Sequence, residues 1–379
     1  MYCDMGLYIH IPFCKSKCFY CDFNSYAGGE HNIPAYFDAL KKEIRMYQNT
    51  LKGHVFNTVY IGGGTPSYVD PKYIYDVLDT CRHSFSISGD AEITLESNPG
   101  TLSFGNLVLY KSFGINRLSI GLQAMQDVIL KQIGRIHTRN DFVGNYHTAR
   151  QAGFKNISVD LIFGLPKQKL SDWTETVSQV IQLYPEHISC YGLIVEEGTE
   201  LSNRMTQGVL CLPDEDEERQ MYDTALKALK NAGYNQYEIS NFAIAGMECR
   251  HNLNYWKCGQ YIGIGAGAHS YFNDTRYWNI RAMEEYINFM SGADELPLSG
   301  SEKIDDDEKM KEFIILGLRM NRGVCKREFE QTFGQPIYSK FGGAIKDSIS
   351  LKLMEDVEGR LRLTRRGLDL ANEVLVKYV

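Results

Sequence analysis

Short β-branched or aromatic runs recur along the first three-quarters of the chain, each followed by a longer stretch with apolar residues at helical spacing. Residues 7–11 read as a strand stopped by Pro12, then a helical pattern covers 35–48, a strand 58–61 and a helix 73–82. Further strands are expected at 91–96, 117–120, 158–163 and 187–193, with helical segments at 127–133, 141–152 and 173–183 between them. A strand followed by a helix returns to the same edge, so successive strands lie parallel, joined by right-handed crossovers. Six such units predict an α/β fold built as a partial (β/α)6 barrel rather than a small open sheet. In a barrel of that kind, reactive groups gather where the strands end and the loops begin.

Near residue 296 the pattern changes. An acidic stretch at 301–308 leads into a helical run at 309–320. Leu353, Val357, the turn Glu358-Gly359 and the run 361–363 read as a hairpin, after which Thr364 is placed to cap a terminal helix. The chain of 379 residues therefore divides into a barrel with its extension over 1–295 and a mostly helical, winged-helix-like module over 296–379. Acidic and basic side chains are roughly balanced in that module, which favours a structural or lid role over DNA binding.

Charge and cysteine usage narrow the function. The net charge is −7 and no Lys/Arg block appears, so a nucleic-acid partner is not expected. No run approaches the roughly 18 apolar residues of a membrane span. The start Met1-Tyr2-Cys3-Asp4 lacks the pattern of a secretory signal, and the expected location is the cytoplasm. Ten cysteines in a reducing compartment are not a disulfide framework, and three of them fall within eight residues.

Those three are Cys14, Cys18 and Cys21, in His10-Ile-Pro-Phe-Cys14-Lys-Ser-Lys-Cys18-Phe-Tyr-Cys21-Asp-Phe23. The spacing puts three soft thiolates on one short loop just after the first strand. Such a loop can wrap a corner of an iron–sulfur cubane and ligate three of its four irons. A tetrahedral zinc site would need a fourth Cys or His, and the loop holds none. An iron without a protein thiolate is open to chelation by an amino acid's own nitrogen and oxygen.

This motif resembles the radical-SAM superfamily. The resemblance implies a [4Fe–4S] cluster on Cys14, Cys18 and Cys21, with S-adenosylmethionine (SAM) at the open iron. It also implies reductive cleavage of the sulfonium to a 5′-deoxyadenosyl radical, with an aromatic residue, here Tyr20, near the adenine. Gly62-Gly63-Gly64-Thr65-Pro66 follows the second strand, where glycines let backbone carbonyls approach a ligand amino group, and no Gly-Lys-Ser/Thr makes it a phosphate loop. Glu96, Gln123, Arg135 and Asp160 fall at or near strand ends. Together with Tyr8 they resemble the SAM-binding residues of the coproporphyrinogen-dehydrogenase group. There the acidic pair serves ribose hydroxyls and the amino group, and the arginine meets the carboxylate.

Within that group the porphyrinogen dehydrogenases carry a fourth cysteine where this chain has Phe23, and an extension ahead of the cluster. Both departures, and His251-Asn252-Leu253-Asn254-Tyr255-Trp256 as an HNxxYW motif, resemble the HemW family of haem chaperones. The glycine-rich run ending in His269-Ser-Tyr-Phe272 is typical of it too. The resemblance implies binding of haem and delivery to recipient haemoproteins, with an electron donor for the cluster. It leaves His251, Tyr255, Trp256 and His269 as haem-binding candidates. Read from residues alone, His251 beside Asn and two aromatics is a satisfied structural histidine, and Cys249 and Cys258 are buried thiols. The competing expectation is an oxygen-independent coproporphyrinogen III dehydrogenase acting by radical oxidative decarboxylation.

Overall fold

The computed structural model describes residues 4–379; the Met1-Tyr2-Cys3 start read for a secretory signal lies outside the described residues. Six parallel strands, β1 (Asp4–Ile11), β2 (Val55–Gly63), β3 (Ser86–Ser97), β4 (Arg117–Gln123), β5 (Ile157–Phe163) and β6 (His187–Gly192), stand in sequence order in one sheet. Helices connect them, including α1 (Ile33–Met46), α2 (Pro71–Ser84) and α3 (Phe104–Ser112). The sheet does not close: its twelve strands run on past both ends of the parallel set. Beyond β6 lie the short antiparallel β7 (Asn235–Gln236) and β8 (Asn241–Ala243).

On the β1 side the sheet continues through β9 (Gln260–Ile264), parallel to β1, then the antiparallel β10 (His269–Phe272), β11 (Thr275–Asn279) and β12 (Leu298–Lys303). The two faces of the parallel set differ in chemistry. Ile9, Ile61, Leu95 and Leu118 sit in register across four strands and are buried in the main core with Leu40, Ile74 and Leu107 of the helices. The alternate residues Glu96, Ser119, Ser158 and His187 form a polar row across β3 to β6. A parallel sheet covered by helices on both sides is normally apolar on both faces. Here one face is polar because it surrounds a cavity.

A second core, from Met310 to Tyr378, is built on helices with a three-stranded antiparallel sheet. Its hairpin pairs Met354–Val357 with Arg360–Leu363, and Val324–Cys325 adds the third strand. The Thr364 hydroxyl accepts from Gly367 N and caps a helix that breaks at Leu370 and resumes at Ala371. The two cores meet where Arg319 lies 4.6 Å over the Trp256 ring, and where Arg365 pairs with Asp223. No described helix is long and apolar enough to cross a membrane.

Candidate cluster and cofactor site

Pro12 ends β1 and releases the cysteine loop at the C-terminal edge of the sheet. Phe19 N bonds Ile133 O at 3.0 Å and Leu201 N bonds Phe19 O at 2.7 Å, pinning the loop between two distant segments. The glycine turn after β2 is laced to the base of the loop by Gly64 N to Ile11 O and Thr65 N to Phe13 O, both 2.8 Å. A β-carbon on Gly64 would lie 2.8 Å from the Phe13 carbonyl, and Gly63 has φ +115°, so this approach requires glycine.

The three sulfurs face one cavity of about 420 Å³, which Tyr20, Gly63, Gly64, Thr65, Glu96, Gln123, Arg135 and Asp160 also line. Residues scattered over 147 positions of sequence therefore converge, from Cys14 to Asp160. A hydrogen-bonded chain joins two of the thiols. Cys14 Sγ is 3.6 Å from Thr65 Oγ1, which accepts from Asn98 Nδ2 at 2.7 Å. Asn98 Oδ1 accepts from Arg135 Nη2 at 2.7 Å, and Arg135 Nη1 donates to Cys18 Sγ at 3.6 Å. Cys21 Sγ lies 3.8 Å from Ser25 Oγ.

Burial raises the Cys14 and Cys21 thiols, while the Arg135 guanidinium acts against that rise at Cys14. A thiolate is costly there unless iron neutralises it, and this is the donor chemistry of a cluster site. Three convergent sulfurs, a buried arginine and a glycine wall fit a [4Fe–4S] cluster with an amino-acid chelate. The sulfurs would hold the irons, and Gly63, Gly64, Glu96, Arg135 and Asp160 would surround the cosubstrate. When bound, the pair supplies a carbon-centred radical.

Glu96 accepts from Tyr60 Oη at 2.8 Å and from Gly63 N at 3.0 Å, and burial pushes its carboxyl up to about 7. Asp160 collects three hydroxyls: Ser119 and Ser189 at 2.8 Å and Ser158 at 3.3 Å. Gln123 adopts φ +71° at the end of β4. Tyr8 stands apart from the other cosubstrate candidates. Its hydroxyl bonds His10 Nδ1 at 2.9 Å, and it lines two neighbouring clefts rather than the cluster cavity.

Two residues of this site were not expected from sequence. Asn98 is the central link between the thiols. Arg117 is 2 % exposed, and its Nε has no hydrogen-bond partner among the described residues. Both had a readable signal: Arg117 opens an alternation of polar or small with apolar residues through Gln123, and Asn98 follows Glu96 in Ser-Asn-Pro.

The haem candidates separate. His251 lies in the first turn of α4 (Arg250–Trp256), which packs on the polar face. Its ring is 2 % exposed, stacks on Tyr60 at 5.1 Å and has both nitrogens engaged, by Thr58 Oγ1 at 2.8 Å and Tyr255 Oη at 3.0 Å. Burial holds it down at about 3, with Arg117 adding to the effect. Trp256 Nε1 is buried without a hydrogen-bond partner among the described residues, and the ring carries Arg319. Cys249 is buried beside Glu92 and Cys258 is half-buried. His269 is exposed and stacks on Trp278 at 5.8 Å.

Fold and site together define a radical-SAM protein: residues 8–180 match the Radical SAM superfamily, and 304–370 match the HemN C-terminal domain. The chain is 38% identical over 378 residues to the Heme chaperone HemW of Bacillus subtilis, covering 98% of each protein. It is 37% identical over 328 residues to the Heme chaperone HemW of Escherichia coli K12, covering 86% of this chain and 85% of that protein. The chain belongs to the HemW family. The structure of coproporphyrinogen III oxidase (HemN) from Escherichia coli superposes with a TM-score of 0.87 at 23% identity, covering 99% of this chain and 90% of that one. That likeness establishes the shared fold.

Proposed function

We propose that this protein is a radical-SAM haem chaperone, which binds haem and passes it to recipient haemoproteins. The observation that carries this reading is the likeness to Heme chaperone HemW of Bacillus subtilis, which runs through 98% of both chains. In this reading Cys14, Cys18 and Cys21 hold a [4Fe–4S] cluster. SAM takes the adjoining cavity, with Tyr20, Gly63, Gly64, Thr65, Glu96, Gln123, Arg135 and Asp160 around it, while Tyr8 lies in the neighbouring clefts. An electron donor reduces the cluster in the cytoplasm, and no nucleic acid takes part.

The site contributes position and electrostatics. Glu96 and Asp160 present acceptors that suit hydroxyl or ammonium groups, and the Arg135 guanidinium balances negative charge on sulfur. Phe23 replaces a thiol with an exposed apolar ring, 66% accessible, at the mouth of the cavity. That change suits a docking edge for a flat ligand rather than an added ligand to iron.

The experiment is anaerobic reconstitution followed by two parallel assays: transfer of bound hemin to an apo-haemoprotein, and turnover of coproporphyrinogen III with reductant and SAM. Transfer without protoporphyrinogen is expected. Appreciable decarboxylation, or failure to bind hemin, overturns the reading.

A further inference from the structure

HemW-like function needs a place for haem, and two histidines of this chain compete for the iron. We propose that haem occupies the cleft under the glycine-rich loop after β9, with His269 as the axial ligand and Arg281 meeting a propionate carboxylate. This rests on the haem-chaperone reading and goes beyond it by naming the site.

Topology puts this cleft beside the cluster. β9 runs parallel to β1 with Ile264 opposite Ile9, so the segment that follows it emerges next to the cysteine loop. The two loops are tied together: Asn24 Nδ2 donates to Ala266 O at 2.9 Å and to Arg281 O at 2.8 Å. A β-carbon on Gly267 would sit 2.9 Å from that same Asn24 nitrogen, and Gly267 has φ +71°. The glycine lets the loops close on each other and sets where His269 is presented.

The cleft has a volume of about 780 Å³, within the about 300–1,000 Å³ of ligand sites. Tyr8, Phe23, Tyr261 and Trp278 give it the flat apolar walls a macrocycle needs. Phe23, Gly63 and Glu96 are shared with the cluster cavity, so a porphyrin here would border the cosubstrate site.

Iron ligation requires an imidazole nitrogen with a free lone pair. Neither ring nitrogen of His269 makes a hydrogen bond among the described residues, and Trp278 stacks on the ring at 26° to hold its plane. Arg281 lines the same cleft and forms no ion pair among the described residues, leaving its fork open to a carboxylate. His251 borders a neighbouring cleft with Tyr255 and Trp256, but its side chain is buried and both its ring nitrogens are already engaged, by Thr58 and Tyr255, so it has no free lone pair for iron. Coordination here is one dative bond from nitrogen to ferric or ferrous iron, with no change in the oxidation state of the protein.

The test titrates hemin into the full-length protein and into H269A, H251N and R281A, reading the Soret band and the haem EPR signal. Circular dichroism verifies that each variant is folded. H269A is expected to lose the imidazole-ligated spectrum and to bind hemin more than about tenfold more weakly, with added imidazole restoring the spectrum. H251N is expected to keep the wild-type band position and affinity. R281A should weaken hemin but not hemin dimethyl ester, which lacks the carboxylates. An unchanged spectrum and affinity in H269A, or their loss in folded H251N, overturns the assignment. Failure of the wild-type protein to take up hemin instead overturns the chaperone reading on which it rests.

Discussion

The Arg135 guanidinium lies 3.6 Å from the Cys18 sulfur and, through Asn98 and Thr65, is linked to the sulfur of Cys14. One buried cation thus braces two of the thiols proposed to hold the cluster, one of them 117 residues away in sequence and the other on the far side of the same loop. Removing it with R135M should weaken cluster retention by about 10- to 100-fold, the usual cost of losing a partner that orients a metal ligand. It should also make the cluster harder to reduce, because a positive charge has gone. Iron analysis after desalting, with a redox titration, checks both; full iron content at an unchanged potential would refute them.

Gly64 is held against the Phe13 carbonyl, and backbone on both sides leaves no flexible end to yield. G64A should destabilise the fold by about 2 kcal/mol or more, in the range of strained core substitutions. Urea unfolding of the apoprotein measures this independently of the cluster.

His251 is neutral in the fold and stays so down to about 3, whereas an unfolded histidine protonates near 6.5. The unfolded chain therefore binds more protons between those values, and the stability that His251 contributes is complete above 6.5 and falls on acidification. H251N should cost about 1–3 kcal/mol at pH 8 through its unpaired neighbours Thr58 and Tyr255. Its deficit should shrink by up to ~1.4 kcal/mol for each pH unit below 6.5. Paired urea titrations at pH 8 and pH 5 give the difference; an equal deficit at both would contradict it.

Glu43 anchors the glycine-rich loop, accepting from Gly265 N at 2.9 Å, Asn279 Nδ2 at 2.7 Å and Tyr286 Oη at 2.6 Å. Burial pushes its carboxyl up to about 7 in spite of those donors. Between about 4.5 and 7 the folded chain holds the extra proton, so Glu43 takes stability away as pH rises through that window. E43Q, which carries no charge, should therefore gain relative to wild type from pH 5 to pH 7.5. Thermal melts across that range test the sign, and a relative loss would contradict the account.

The parallel strands were legible because β-branched runs alternate with helical ones, and because the Cys14–Cys21 spacing marks the end of β1. The convergence of Glu96, Gln123, Arg135 and Asp160 with the sulfurs was reached through family likeness, since spacing alone does not fix which way a side chain points. The residues alone read His251 as a satisfied structural histidine, but the packing of α4 against the polar face was not legible. His251 is surrounded in sequence by residues suited to a ligand site, yet its environment is set by Thr58 and Tyr60 on β2, nearly two hundred positions away. Tyr8 likewise faces a cleft made by β9 and β10, which only the sheet order brings next to β1.

Radical-SAM chemistry here requires that the three sulfurs hold a cluster and leave one iron open. Low-temperature EPR of the anaerobically reconstituted and reduced protein, before and after adding SAM, examines this directly. The prediction is a reduced [4Fe–4S] signal that changes shape on SAM addition and is absent in C14A, C18A and C21A. A signal indifferent to SAM, or reconstituted protein carrying zinc instead of iron on those cysteines, would contradict it.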